Sequence, residues 1–532
     1  MRRFNVTGLC VPEEDYMVDI SGKLEQIIKL IDGRSYFTIN RARQYGKTTT
    51  LACLEKAIRD RYLVTSISFE GIDDESFGSP AVFCRMFVEL IHDSLKFTDA
   101  PPEYRESWLA DGISNFRELG RHITKMCQNR KVVLMIDEVD KTSNNQVFLH
   151  FLGMLREKFL LRKNKKDYTF HSVILVGVYD IKNIKLKMIN AGLSNNPVDI
   201  GRIYNSPWNI AANFNVDMSF DPLEIATMLS EYETDHKTGM DIDLISAEIH
   251  NYTSGYPFLV SRICSCIDEE LAGNWTRDGV QEAVKVILEE ENVLFDDLEK
   301  NLENNKEVYN FLYSLLIVGE KKSFTIGVPV VKWCSMFGYI DRCNGNSAGG
   351  QTGYAVIANK IFEIRMGNYF ITKDENASRM ESEVGHGLYN DIVKEKKFNM
   401  ELCLAKFAEH YREIFTEADQ PFLERHGRLL FLSYLRPLIN GKGFFHIESQ
   451  FTDLRRMDIV VDFGSDQFII ELKLWKGEAA KDKAYEQLLA YLEAKNTAKG
   501  YLLTFDFRKE KNKEYKAEWV KVGDKQIFEV IV

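Results

Sequence analysis

Along the first 220 residues, short apolar runs alternate with amphipathic stretches. SYFTI (35–39) predicts a strand that runs into a Gly-Lys-Thr turn, and TTTLACLEKAIRDRYL the helix after it. LVTSISFEGI (63–72), KVVLMIDEVD (131–140) and HSVILVGVYD (171–180) read as further strands. Between them, 83–97, 113–128 and NQVFLHFLGMLREKFLL read as helices. Uninterrupted apolar runs alternating with helices predict a parallel sheet covered on both faces.

Beyond about Phe220 the pattern turns helical. PLEIATMLSEYE, LISAEIHNYT, PFLVSRICSCIDEELA and GVQEAVKVILEEEN fit a small helical lid. From about 306 to 370 helices give way to polar GNSAGG and the strand-like YAVIA, a unit of winged-helix size. The polar segment 371–387 reads as a linker, and a last block of helices and strands closes with a helix and two strands. The expected organisation is an α/β multidomain chain. Its parts are a P-loop domain over 1–215, a lid over 216–300, a winged-helix-like unit over 301–372, a linker over 373–394 and an α/β domain over 395–532.

Composition narrows the classes. The chain has 532 residues, 45% of them apolar, and a formal net charge of −11. That charge argues against a surface coated for non-specific DNA binding, although a local basic groove remains open. From Arg425 onward Lys and Arg slightly outnumber Asp and Glu, so a nucleic-acid site is expected there first. The nine cysteines are scattered and read as free thiols in a reducing compartment. The N-terminus has no apolar run of the signal-peptide kind, and no window reaches the roughly 18 apolar residues of a membrane helix. The chain reads as soluble and cytoplasmic, with no membrane partner.

The Gly-Lys-Thr turn carries the first chemistry. Gly46, Lys47 and Thr48 fit the P-loop pattern, with Arg41 in place of its first glycine. Such a loop wraps backbone N–H groups and a helix N-terminus around phosphate. Arg41, Gln44, Tyr45, Gly46, Lys47, Thr48 and Thr49 are therefore the expected ATP-binding loop. Lys47 would reach the β and γ phosphates and Thr48 would hold Mg²⁺. About 90 residues on, VVLMIDE ends a strand in two acids. Asp137 is expected to bind Mg²⁺ through water and Glu138 to polarise the attacking water. A lone GKT is weak evidence. A strand before it, a helix after it and an acidic second strand make it specific.

FTINRARQYGKTTTL, VVLMIDEVDK, GVYDIKN and SPWNIA resemble the AAA-like, STAND-type predicted AAA-ATPases, over the N-terminus to about residue 370. By that resemblance SGYPFLV holds the lid's GxP motif at Gly255 and Pro257. Tyr179 and Asp180 then lie near the sensor position, and Arg202 is a candidate γ-phosphate sensor, or else a salt-bridged surface arginine. AVIANKIFEIRM resembles the end of the family's winged-helix segment, which in such proteins mostly packs against the nucleotide domain.

The second constellation is RRMDIVVDFGSDQFIIELKLWKG. Glu471 and Lys473 are two apart, so a strand turns both to one face, and Asp458 at the entry of the neighbouring strand can join them. Two carboxylates suit a hard cation, so Asp458 and Glu471 are expected to hold Mg²⁺ with Lys473 beside them. An isolated D…ExK is also ordinary strand alternation. Here FII before Glu471 sets the charges in a core strand, and the helix KDKAYEQLLAYLEA presents Gln487 and Tyr491 at i, i+4. Over about 420–510 this order resembles the PD-(D/E)xK nuclease superfamily, with Gln487 and Tyr491 matching a QxxxY motif. The resemblance makes Asp458, Glu471 and Lys473 catalytic, with Gln487 and Tyr491 supporting the site. Glu424 and His426 are possible further groups. No proline precedes Asp458, and the block lacks a strong basic excess, which leaves room for a gated or inactive site.

The leading expectation is an ATPase that regulates a Mg²⁺-dependent nuclease acting on nucleic acid, DNA foremost, in host defence or mobile-element biology. The alternative is an ATP-driven switch whose C-terminal domain binds a partner or nucleic acid without cutting. A protein-remodelling motor is weaker, for want of an aromatic pore loop. Homo-oligomers are plausible, since such ATPases often take an arginine from a neighbouring subunit.

Overall fold

The computed structural model describes residues 2–109, 112–142, 146–178, 208–344, 353–373, 386–394, 397–414, 424–439, 442–447, 459–464, 466–475, 477–506 and 516–532. These fall into two compact units. The first comprises Met1–Lys237 with Gly255–Ser261 and Met336–Gly338; the second holds the rest.

In the first unit, helix α1 (Ser21–Asp32) leads into strand β1 (Tyr36–Asn40), and helix α2 (Lys47–Ile58) into β2 (Leu63–Ser68). Helices α3 (Pro80–Leu95), α4 (Pro102–Glu106) and α5 (Phe116–Cys127) precede β3 (Val132–Asp137). Helix α6 (Gln146–Lys163) precedes β4 (Ser172–Gly177). The strands form a parallel sheet in the order β1-β4-β3-β2, with Phe37 opposite Ile174 and Leu134 opposite Val173. This is the arrangement that the apolar runs predict.

Both faces of that sheet are buried, which is why β3 and β4 show no polar alternation. Val132, Leu134 and Ile136 pack into one core with Phe87, Phe151 and Trp208. Val133 and Met135 point the other way, into a core with Ile27 and Ile31 of α1 and Leu51 and Leu54 of α2. Helix starts follow local chemistry. Ser79 caps α3, accepting from the Val82 N–H, with Pro80 at the first helical position. Asp221 and Glu224 form a reciprocal capping box at the start of α7 (Pro222–His236).

Several strands stop short of the apolar runs. β3 ends at Asp137 because Glu138 takes a left-handed conformation, φ 54°, which no strand continues through. β4 ends at Gly177, and β2 at Ser68.

The second unit begins with helices α8 (Ile242–Thr253), α9 (Pro257–Glu269, its first turn belonging to the first unit), α10 (Arg277–Glu289), α11 (Val293–Asn304) and α12 (Lys306–Tyr313). A π-helical turn, Ser314–Val318, follows α12. Then come α13 (Pro329–Met336), the antiparallel pair β5 (Ile340–Asn344) and β6 (Gly353–Ile357), and α14 (Lys360–Lys373).

Helix α15 (His386–Ile392) and the small pair β7 (Val393–Lys394) and β8 (Lys397–Phe398) lead to α16 (Met400–Ile414) and α17 (Glu424–Ile439). The remaining strands are β9 (Gly443–His446), β10 (Ile459–Phe463), β11 (Asp466–Leu474), β12 (Lys499–Phe505), β13 (Ala517–Val522) and β14 (Lys525–Ile531). They build a six-stranded sheet in the order β13-β14-β12-β11-β10-β9. β11, β12 and β14 are mutually parallel, and the outer pairs are antiparallel. Three strands, not two, follow the last helix, α18 (Glu478–Ala494), which crosses from β11 to β12. Ala484, Leu488, Tyr491 and Leu492 of α18 pack on Val460, Ile469, Leu502 and Ile527 of the sheet.

Candidate functional site

The loop 41–46 leaves the end of β1 and turns sharply into α2. Two left-handed residues make the turn, Gln44 at φ 56° and Gly46 at φ 68°. Gly46 then stands at the N-terminus of α2, so the free N–H groups of the helix open toward the loop. Lys47 is buried, and its ammonium donates to the carbonyls of Arg41 at 3.2 Å and Ala42 at 2.8 Å. Burial pushes the Lys47 ammonium below its ordinary pKa, while Glu138, Asp140 and Asp137 push it back up.

β3 runs beside this loop's helix and delivers its acids there. Thr48 Oγ1 donates to Asp137 Oδ2 at 2.9 Å. The other oxygen, Oδ1, accepts the Glu138 N–H at 2.9 Å, which holds Glu138 in its left-handed turn. Burial raises the Glu138 carboxyl above its ordinary range, with Lys47 opposing and Asp137, Asp140 and Glu70 adding to the rise. A hydroxyl, a buried carboxylate and an ammonium thus converge at the C-terminal end of a parallel sheet, where such sheets bind ligands.

Residues 41, 45 and 49 fasten the loop. The Arg41 guanidinium donates to the carbonyls of Asn40 and Val216, both at 2.9 Å, so here it braces the end of β1. Gln44 Oε1 is buried with no hydrogen-bond partner. Tyr45 packs edge-on against Tyr256 at 4.6 Å, and the Tyr256 hydroxyl donates to the Arg43 carbonyl at 2.5 Å. Thr49 Oγ1 accepts the Cys10 N–H at 3.2 Å. Gly255 and Pro257 flank Tyr256. Gly255 has φ 72°, and a Cβ there would lie 1.9 Å from the Phe220 carbonyl oxygen, so no side chain fits.

A cavity of about 340 Å³ opens beside Gly46, lined by Val6, Gly8, Tyr16, Val18, Gln44, Thr50, Phe220, Met228, Pro257 and Phe258 among others. It is mostly apolar and lies within the ~300–1,000 Å³ range of small-molecule sites. Sequence reading missed the N-terminal wall of this cavity, because residues 5–20 carry no motif and reach it only through the fold. It also missed Asp140. One Asp140 carboxylate oxygen accepts the Val178 N–H, tying the turn after β3 to the exit of β4. Gly177 permits that approach, since a Cβ there would lie 2.7 Å from Asp140 Oδ1. The spacing DEVD was the available signal. Tyr179, Asp180 and Arg202 lie outside the described residues.

The residues fit nucleotide and a divalent cation. Thr48 and Asp137 supply the hard oxygen pair, Lys47 the cation and the helix N-terminus the N–H donors for phosphate, while the unpartnered Gln44 Oε1 can accept from an N–H of the ligand.

In the second unit Glu471 and Lys473 do share a face of β11. Glu471 is 1% exposed, and Lys473 Nζ lies 2.7 Å from its Oε1. Asp458 lies outside the described residues; the next residue, Ile459, pairs with Ile470, the neighbour of Glu471. Tyr491 is buried in the core under α18, and Gln487 stands one turn before it, half-buried. His426 is half-buried on α17, and the Glu424 side chain lies outside the described part of the structure.

The sheet adds a carboxylate that no motif announced. Glu471 pairs with Leu502, and Leu502 with Glu529, so the two glutamates lie in one row of the same face. Glu529 is 2% exposed and accepts from Lys481 at 2.9 Å and Tyr485 at 3.1 Å, both on α18. That contact holds α18 over the face that carries Glu471. Among the described residues, no group of three or more His, Cys, Asp and Glu is placed to hold a metal. None of the nine cysteines is in a disulfide, and among the described residues no helix is long and apolar enough to cross a membrane.

Comparison with known proteins finds two families along the chain. Residues 25–271 match the AAA-like domain family, and residues 444–517 match the PD-(D/E)XK nuclease superfamily. The chain therefore carries an AAA-like domain and, after it, a PD-(D/E)XK nuclease-superfamily domain. No curated protein matches the chain. Among solved structures, a Walker-type ATPase of Pyrococcus abyssi is 12% identical and covers 68% of this chain and 99% of its own, with a TM-score of 0.45. The ORC2 protein of Aeropyrum pernix, in its ADPNP–ADP complexes, is 13% identical over 69% of this chain and 98% of its own, at 0.35. Cdc6p from Pyrobaculum aerophilum is 13% identical over 68% and 97%, at 0.29.

Proposed function

We propose that the chain is an ATPase whose nucleotide state controls cleavage of nucleic acid by its C-terminal domain. The observation that carries the ATPase reading is the 2.9 Å bond from Thr48 to Asp137, with Lys47 buried beside it. A hydroxyl and a carboxylate in contact at a helix N-terminus are the protein half of a Mg²⁺–phosphate site. Lys47, now bonded to loop carbonyls, would exchange them for phosphate oxygens. Gln44 and the backbone N–H groups of the loop would hold the phosphates, and the apolar cavity beside Gly46 would take the base. Glu138 would accept a proton from the attacking water, and the burial that raises its pKa makes it the stronger base for that step. Bound Mg²⁺ would neutralise charge on the phosphates.

In the C-terminal domain, Glu471 and Asp458 would hold a divalent cation that polarises the scissile phosphate. Lys473 would orient water or stabilise charge, and Gln487 and Tyr491 would support that face. DNA is the favoured substrate class. The unit over 301–372 is read as winged-helix-like, relaying nucleotide state to the nuclease, and self-assembly would supply an arginine to the ATP site. A defence or mobile-element role fits such a fusion by analogy alone.

The test is ATP binding and turnover by purified full chain beside Lys47→Ala. Loss of both in the variant, with its thermal unfolding unchanged, supports the reading. Unchanged turnover in Lys47→Ala overturns it.

A further inference from the structure

The four strands of the first unit are parallel, so their N-terminal ends share the edge opposite the 41–48 loop. Basic residues stand before them. Arg34 precedes β1, Arg130 and Lys131 precede β3, and Lys165 and His171 precede β4. With Arg162 they line one cavity of about 530 Å³. Asp167 is the one carboxylate among its described lining residues, and it is already engaged. It pairs with Lys158 at 2.6 Å and accepts from Thr124 at 2.6 Å.

The cations lack such partners. Among the described residues, no carboxylate pairs with Arg34, Arg130, Lys131 or Lys165. Arg162 donates to the carbonyls of Phe170, His171 and Arg34, which fixes it in the wall without neutralising it. His171 is 8% exposed, lies against the Tyr62 ring at 4.7 Å, and its Nε2 makes no hydrogen bond. Burial, then Arg34, Arg162 and Lys131, push its imidazole down to about 4. Burial is the larger cause, and the three neighbouring cations add to it.

Helix dipoles account for part of this charge. Helices α1, α5 and α6 end at this edge and place Lys29, Lys125, Arg162 and Lys163 in their last turns, where cations are favoured. Arg34, Arg130, Lys131 and Lys165 lie beyond those turns and add to them. In a chain of net charge −11, crowding them around one concavity without counter-charge is a cost that a bound anion would remove.

We propose that this cavity is a second phosphate-binding site, distinct from the ATP loop, for a multiply charged phosphate ligand. Its size suits a nucleotide-sized polyphosphate. The same cations would equally seat consecutive phosphates at the end of a nucleic-acid strand. Arginine and lysine together supply both forked and point-like contacts to phosphate oxygens. The inference does not depend on either activity proposed above.

The test uses the full chain carrying Lys47→Ala, which silences the ATP loop. Inorganic tripolyphosphate and a 5′-phosphorylated single-stranded oligonucleotide are titrated in separate calorimetric runs at physiological salt. Arg130→Ala/Lys131→Ala and, independently, Lys165→Gln are added to that background, with thermal unfolding as the folding control. The double variant is expected to weaken binding about tenfold or more, and the single variant by a few-fold. Loss confined to tripolyphosphate identifies a small phosphorylated ligand; loss confined to the oligonucleotide identifies a strand. Binding of neither probe, or binding that all variants leave unchanged, overturns the proposal.

Discussion

Thr48 and Asp137, 89 residues apart in sequence, meet through a 2.9 Å hydrogen bond that joins the first turn of α2 to the end of β3. Asp137 is 7% exposed, so the bond lies in a partly dry site where a hydroxyl and a carboxylate can both be turned onto a cation. Thr48→Ala removes that hydroxyl and leaves the helix intact. We expect ATP turnover to fall by about 100-fold, and the Mg²⁺ concentration for half-maximal rate to rise. A Mg²⁺ titration of steady-state ATPase checks both. Thr48→Ser should restore most of the rate.

Glu138 is held in a left-handed turn, and burial raises its carboxyl above the ordinary value. A base works ionised, so kcat/KM for ATP should fall as pH drops through that raised value, above the usual carboxylate range. Glu138→Gln should slow turnover by about 100-fold or more while ATP still binds, and should erase that acid limb. An acid limb unchanged in the variant would assign the titration to another group.

Gly255 sits at φ 72° with the Phe220 backbone where a side chain would go. Gly255→Ala is expected to cost at least about 2 kcal/mol through strain and displaced backbone. Gly523, at φ 63° with open space around it, is the control, and Gly523→Ala should cost about 1 kcal/mol. Chemical denaturation of the two variants separates the terms. Equal losses would mean that the conformation, and not the contact with Phe220, carries the effect.

How much of this was legible in the sequence depends on distance along the chain. The strands β1 to β4 were, because burial on both faces leaves unbroken apolar runs. The convergence of Lys47, Thr48, Asp137 and Glu138 was, because the Gly-Lys-Thr turn and the acidic strand end place them at a helix start and a strand end of one parallel sheet. So was the shared face of Glu471 and Lys473, which follows from the period of a strand. Strand ends were less so. Nothing in VVLMIDEVD marks Glu138 as the residue that leaves the extended conformation. Glu529 was invisible because it meets α18 only after two crossovers bring β14 beside β12. Arg34, Arg130, Lys131 and Lys165 gave no signal either, since each alone looks like a cation after a helix.

His171 should set part of the acid sensitivity of folding. Its ordinary pKa of 6.5 is pushed down to about 4 in the folded chain. The unfolded chain therefore takes up a proton first, and stability that is full above about 6.5 is lost as pH falls toward about 4. His171→Gln should flatten the decline of Tm in that window, in a buffer free of phosphate. An unchanged slope would place the sensitivity on other groups.

In the proposed function one chain couples an ATP site to a nuclease site. Cleavage of supercoiled plasmid, linear duplex and single-stranded DNA and RNA, with Mg²⁺ or Mn²⁺ and with ATP, ADP or neither, tests it most directly. Wild type is run beside Lys47→Ala and Lys473→Ala. Cleavage is expected to depend on the nucleotide in wild type, to lose that dependence in Lys47→Ala, and to disappear in Lys473→Ala while ATPase activity persists. Cleavage that survives Lys473→Ala, or no cleavage of any substrate in any nucleotide state, would contradict it.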